Sequence, residues 1–221
     1  MKKVMTFAVL AGLLVLCATG VLASTVYFDY LPSGTYEMGV SKESDSYDCS
    51  DYLVGVVVPA EKFQFGLEYS STDIDDDESD ITSMQFTGWK ITGGYQCFKT
   101  EKFELITNLS YLYWKAEDEG EGSTTFKYSP TLIGIACKYR INDKICISGL
   151  VDCATSDFII EEGEDEAYPA DYTAARVKYS YFFTKDFAAS LGYKWSKLIM
   201  HDNSDLEMIT KGFTFGASCD F

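Results

Sequence analysis

Several things are scarce in this chain of 221 residues, and each scarcity removes a class of function. There is one histidine and no cluster of Cys with His, which excludes an ordinary zinc centre. Lys and Arg number 18 against 34 Asp and Glu, a formal net charge of −16, so nucleic acid is not an expected partner. No glycine-rich phosphate loop and no nucleophile motif is present, and no cofactor is expected. No linker, repeat or composition shift divides the chain, so it is read as one domain. Beyond residue 23, no apolar run is long enough to cross a membrane as a helix.

What is present starts at the N-terminus. Lys2 and Lys3 precede the run VMTFAVLAGLLVLCATGVLA. A basic start, an apolar stretch and small residues at its end form an export signal over residues 1–23, with cleavage expected between Ala23 and Ser24. Residues 24–221 are then the functional domain. It holds Cys49, Cys97, Cys137, Cys146, Cys153 and Cys219. Their spacings form no staple pattern, and four of them continue an apolar phase, so they are expected to act as small hydrophobes.

The exported part alternates apolar and polar residues from end to end. Ten period-2 segments fall near 34–42, 51–58, 63–71, 81–97, 103–115, 125–139, 145–156, 171–183, 187–197 and 206–221. In the fourth, Met84 and Phe86 are apolar at even positions and Trp89 and Ile91 at odd ones, which predicts a bulge near Gly88. Pro130 predicts a local irregularity, because proline cannot donate a ladder hydrogen bond.

The connections are of two kinds. Four are tight turns rich in Lys. Five are longer (43–51, 72–80, 117–124, 157–171 and 198–207) and carry 24 of the 34 acidic residues with no Lys or Arg. Asp73, Asp75, Asp76, Asp77, Glu161, Glu162, Glu164 and Asp165 form the core of this acidic crown. DIDDDESD over 73–80 lacks the glycine of an EF-hand, though divalent cations remain possible partners of clustered carboxylates.

A soluble barrel also alternates, with its oily face inward, so the polar face decides. That face is built mostly from Gly, Ser, Ala, Thr and Gln. Its few charges are balanced: Glu37, Glu68, Glu104 and Asp152 against Lys138, Arg176, Lys178 and Lys194. Such a face suits a crowded interior with ion pairs, and the aromatic face suits lipid. Phe63, Phe187 and Phe221 beside the tight turns, and Tyr52, Tyr69, Tyr111, Tyr128, Tyr172 and Tyr193 toward the long connections, predict two aromatic girdles. The expected fold is all-β: a closed antiparallel up-and-down transmembrane β-barrel of 10 strands, or 8 if the first two segments stay outside it. About ten strands leave a lumen that side chains could largely fill, or the inward Gly66, Gly192 and Gly216 could instead leave a thin water path.

The chain ends TFGASCDF. With this pattern and terminus it resembles the small bacterial outer-membrane β-barrel proteins, the class of OmpA-, OmpX- and OmpW-like barrels. The resemblance implies an outer-membrane location among outer-membrane lipids. It also implies an assembly signal made of Thr214, Gly216, Cys219 and Phe221, read by the barrel-assembly machinery; Cys219 departs from the aromatic usual at its position. The function expected is non-enzymatic: a narrow cation-preferring pore, or a structural or surface-interaction barrel. The alternatives are a barrel-borne lipid-modifying enzyme that uses His201, and a soluble exported binding barrel.

Overall fold

The computed structural model describes residues 24–40, 43–75, 84–118, 125–162, 164–201 and 205–221. The expected export signal lies outside these described residues, as do Asp76 and Asp77. The elements are β1 (Thr25–Val40), β2 (Glu43–Ala60), β3 (Phe63–Asp75), β4 (Met84–Lys99), β5 (Phe103–Asp118), β6 (Thr125–Tyr128), β7 (Thr131–Asn142), β8 (Ile145–Glu162), β9 (Glu164–Phe182), β10 (Phe187–Met200) and β11 (Leu206–Asp220).

Every pairing is antiparallel; strands pair with their chain neighbours, except that β6 and β7 each pair with both β5 and β8 and not with one another, and β11 returns to pair with β1. At this seam Phe221 N–H donates to Ser24 O at 2.9 Å, and Ser24 N–H donates to Phe221 O at 3.2 Å. Closure leaves no sheet edge, which is what lipid demands of a strand-built structure. Because β6 and β7 both lie between β5 and β8, they form one stave, and the barrel has ten. The interruption falls at Ser129 and Pro130, as expected of a residue without an N–H.

The facing is that of a membrane barrel. Phe187, Leu191, Tyr193, Phe213 and Phe215 are exposed on the outer wall, and Gly192 and Thr214 are buried inside. This rules out the soluble barrel, whose interior would have held Leu191 and Phe215. Phe63, Tyr95, Phe98, Phe183, Phe187 and Phe221 ring the tight-turn end, exposed as expected.

Four expectations need correction. First, β4 has no bulge at Gly88. Its register with β3 runs unbroken from Phe63↔Tyr95 to Ile74↔Met84, and Met84 and Phe86 keep the inward phase. Second, the described parts of the long acidic connections are largely strand: β2 pairs from Glu43, β3 runs to Asp75, and β8 and β9 pair to Glu162↔Glu164. Asp73, Asp75, Glu161, Glu162, Glu164 and Asp165 therefore sit on tall hairpins rather than loops. Third, Tyr128 and Tyr172 are not girdle residues. Tyr128 is 2% exposed within the interior, and Tyr172 packs against it with centroids 6.1 Å apart. Fourth, β1 begins at Thr25 rather than near 34. It carries a bulge between Tyr30 and Gly34, where the exposed Pro32 and Ser33 interrupt its register with β11. One extra residue flips the facing of everything after it, so Tyr36 points inward and Glu37 outward.

Candidate functional site

The interior has two storeys. The lower storey is a layer of ion pairs at the waist. Arg176 Nη2 donates to Glu68 Oε1 at 3.2 Å, and Arg176 Nη1 lies 3.7 Å from Asp29 Oδ2. Lys178 Nζ reaches the same Asp29 oxygen at 2.6 Å and sits over the Tyr27 ring, 5.1 Å from its centroid. The Tyr27 hydroxyl donates to Glu68 Oε1 at 2.5 Å. Lys194 pairs with Asp51, whose other oxygen accepts from Thr72 Oγ1 at 2.9 Å, and Lys90 pairs with Asp152. Four cations thus meet four carboxylates. Asp29, Asp51 and Asp152 are each under 5% exposed. A like-charged neighbour makes such pairing necessary: Arg176 and Lys194 are direct cross-strand partners and would repel each other without Glu68 and Asp51.

Glycine gives these side chains their room. Gly134 faces Asp152 and Gly216 faces Asp29 across adjacent strands, and a Cβ at either glycine would collide with the carboxylate oxygen. Gly55 likewise lies under the Tyr27 ring, and Gly192 between Thr214 and Lys178. At Gly192 and Gly216 neighbouring side chains take the room, whereas Gly66 has only ordinary contacts.

Of the charges assigned to the lumen, Glu68, Asp152, Arg176, Lys178 and Lys194 lie in this layer. Glu104 is inward but lower, accepting from Gln96 Nε2 near the tight turns. Lys138 faces Glu104 across the ladder and is exposed at that mouth. Glu37 belongs on the outer wall, where Lys211 Nζ donates to it at 2.6 Å, because the β1 bulge reverses its phase. Asp29, Asp51 and Lys90 complete the layer and were not anticipated. Asp29 precedes the bulge in a stretch without clean alternation, and Asp51 appeared to belong to a loop.

The upper storey is an oily chamber. Phe86 stacks on Trp114 with centroids 4.5 Å apart and 15° between planes, and Tyr36 lies 5.6 Å from Phe86. Tyr128, Leu198, Met200 and Met208 close the cluster. Between this cluster and the ion pairs is a cavity of about 190 Å³, lined by Tyr36, Phe86, Trp114, Tyr128 and Tyr172 above and by Lys90, Asp152, Asp51, Lys194, Glu68 and Arg176 below. The signal for the chamber was legible. Keeping the even phase of each strand through its upper half gives Phe86, Trp114, Tyr128, Tyr172, Leu198 and Met208.

At the long-hairpin end, His201 bridges two carboxylates. Its Nδ1 lies 3.1 Å from Asp205 Oδ1 and its Nε2 3.1 Å from Asp171 Oδ2, while Thr155 Oγ1 donates to Asp171 Oδ1 at 2.6 Å. The hydrogen bonds to Asp171 and then Asp205 hold the imidazole above its ordinary value. The Thr155 hydroxyl, then His201, hold the Asp171 carboxyl below the usual range. Among the described residues no group of three or more Cys, His, Asp and Glu is arranged to hold a metal, and all six described cysteines are unpaired with one another.

No protein-family model and no curated protein sequence matches the chain. Solved structures do. The outer membrane protease OmpT from Escherichia coli superposes with a TM-score of 0.61 at 11% identity, over 90% of this chain and 97% of that one. The translocator domain of the autotransporter NalP from Neisseria meningitidis gives 0.48 at 9%, over 100% and 98%. Ail, the attachment invasion locus protein of Yersinia pestis, gives 0.41 at 12%, over 90% and 99%. At such identities the likeness is one of fold. With an exposed apolar wall that only lipid can cover and a closed ten-stave ladder, the chain is built as an outer-membrane β-barrel.

Proposed function

We propose that the protein is a non-enzymatic outer-membrane barrel, closed across its waist, that acts as a structural and surface-exposed element rather than as an open pore. One observation carries this reading: the eight charges of the waist are fully paired and largely buried, so a permeating ion would have to break pairs that already neutralise each other. At His201 both ring nitrogens are engaged by carboxylates, so among the described residues neither is directed at a hydroxyl nucleophile. In this reading the acidic hairpins lie outside the cell and recruit divalent cations that bridge them to phosphates of the surrounding outer-membrane lipids. Thr214, Gly216, Cys219 and Phe221, on or beside the closing strand, are its proposed point of contact with the assembly machinery.

Liposome swelling tests the closed waist. Proteoliposomes should resist swelling in small sugars at the rate of protein-free vesicles; swelling that scales with protein content refutes closure. A narrow cation-preferring pore is the second reading, favoured by the acidic hairpins alone.

A further inference from the structure

We infer that the cavity above the ion-pair layer is a binding site for a small neutral aromatic molecule of the size of benzyl alcohol. Volume sets the size. An apolar cavity of roughly 150 Å³ holds benzene, and about 190 Å³ leaves space for one ring with a short substituent. The lining sets the class. Phe86, Trp114 and Tyr128 offer ring faces and edges to a flat guest at stacking or tilted geometry.

The floor sets the charge. Three cations and three carboxylates line it, each already paired, so a charged guest finds no free counter-ion and would have to displace one. A neutral guest has no such requirement. The one Asp152 oxygen without a donor among the described residues packs against Gly134 and does not face the chamber, so the floor offers a guest only charges that are already paired. The guest's ring lies in the aromatic chamber above that floor. This inference goes beyond the closed-barrel reading and does not depend on it, since a conducting barrel could hold the same guest.

The test uses Trp114 as reporter. Trp89→Phe and Trp195→Phe leave Trp114 as the single indole of the refolded full-length barrel, and phenylalanine keeps a ring at Trp195, which also borders the cavity. Benzyl alcohol titrated into this protein in detergent should change the Trp114 emission saturably. Benzylamine and benzoate, the same size with a charge of either sign, should need at least about tenfold higher concentration, the equivalent of about 1.4 kcal/mol. Ala174→Phe places a ring in the cavity and should abolish the saturable change, and Ser70→Leu provides a second, smaller filling if the first variant fails to refold. A linear, unsaturable response, or one unchanged in the filled variants, means partition into the micelle and overturns the site. Equal or tighter binding of either charged analogue overturns the ligand class.

Discussion

Single residues decide whether the waist holds together. Gly134 is needed because Asp152 occupies the space its Cβ would take, and the Val151 carbonyl lies 2.9 Å from that position. Gly134→Ala should therefore destabilise the barrel by about 1–3 kcal/mol, the usual cost of overpacking, read from urea unfolding in detergent. A change within about 0.5 kcal/mol would mean that the carboxylate can move aside and that the pair with Lys90 is loose. Glu68 accepts from both Tyr27 and Arg176, so Glu68→Ala leaves Arg176 with only the more distant Asp29. Removing one partner of a buried pair costs about 3–5 kcal/mol, and the same unfolding assay should show that loss. His201 acts at this scale too. Its raised pKa gives stabilisation that is complete below the unfolded value near ~6.5 and disappears as pH rises through the folded value. The lowered pKa of Asp171 gives stabilisation present above ~3.9 and lost as pH falls through its folded value. The rim latch is thus at full strength from roughly pH 4 to 6.5. As the only histidine, His201 gives a single imidazole NMR resonance to follow. It should titrate above ~6.5, and lower in Asp171→Asn; a midpoint at or below ~6.5 in the unmodified protein would remove the latch.

At the scale of elements, alternation made most of the fold legible. Strands such as Phe187–Met200 keep one phase from end to end, and in them the facing followed directly from the residues. Reading failed where phase is reset or where polarity hides it. The β1 bulge reset the phase at Pro32 and Ser33, which misplaced Glu37 and concealed Asp29. The acidic hairpins read as loops because charge marks most connections, yet strands that rise beyond the membrane face water on both sides. The chamber is hidden for the opposite reason: as aromatics, Tyr128 and Tyr172 fit an outer girdle, and the bulge expected at Gly88 obscures Phe86, whereas the unbroken phase puts all three inside. The outer wall offers a direct check. Leu191 is 48% exposed and flanked outward by Phe187 and Tyr193, so Leu191→Arg should cost about 2–4 kcal/mol if it lies at mid-bilayer. Ser190→Arg, one residue away but inward, should spare lipid contact and instead disturb the interior. Equal effects of the two substitutions on stability in lipid vesicles would contradict the assigned facing.

For the molecule as a whole, the division of labour is vertical. An acidic end, an oily chamber, a neutral layer of ion pairs and a turn-rich lower mouth follow one another down the barrel, inside a wall whose residues face lipid. The sequence carried the wall and the acidic end plainly. It carried the ion pairs only in part, because partners such as Lys90 with Asp152 and Arg176 with Glu68 lie 62 and 108 residues apart and meet only when the sheet closes. Conductance of the refolded protein in a planar bilayer tests the closed waist most directly. The unmodified barrel should show no stable current steps, and Asp51→Ala combined with Lys194→Ala, which removes one pair without leaving a lone charge, should introduce them, with reversal potentials in a salt gradient favouring cations. Steady current steps from the unmodified protein, unchanged in the double variant, would contradict the account.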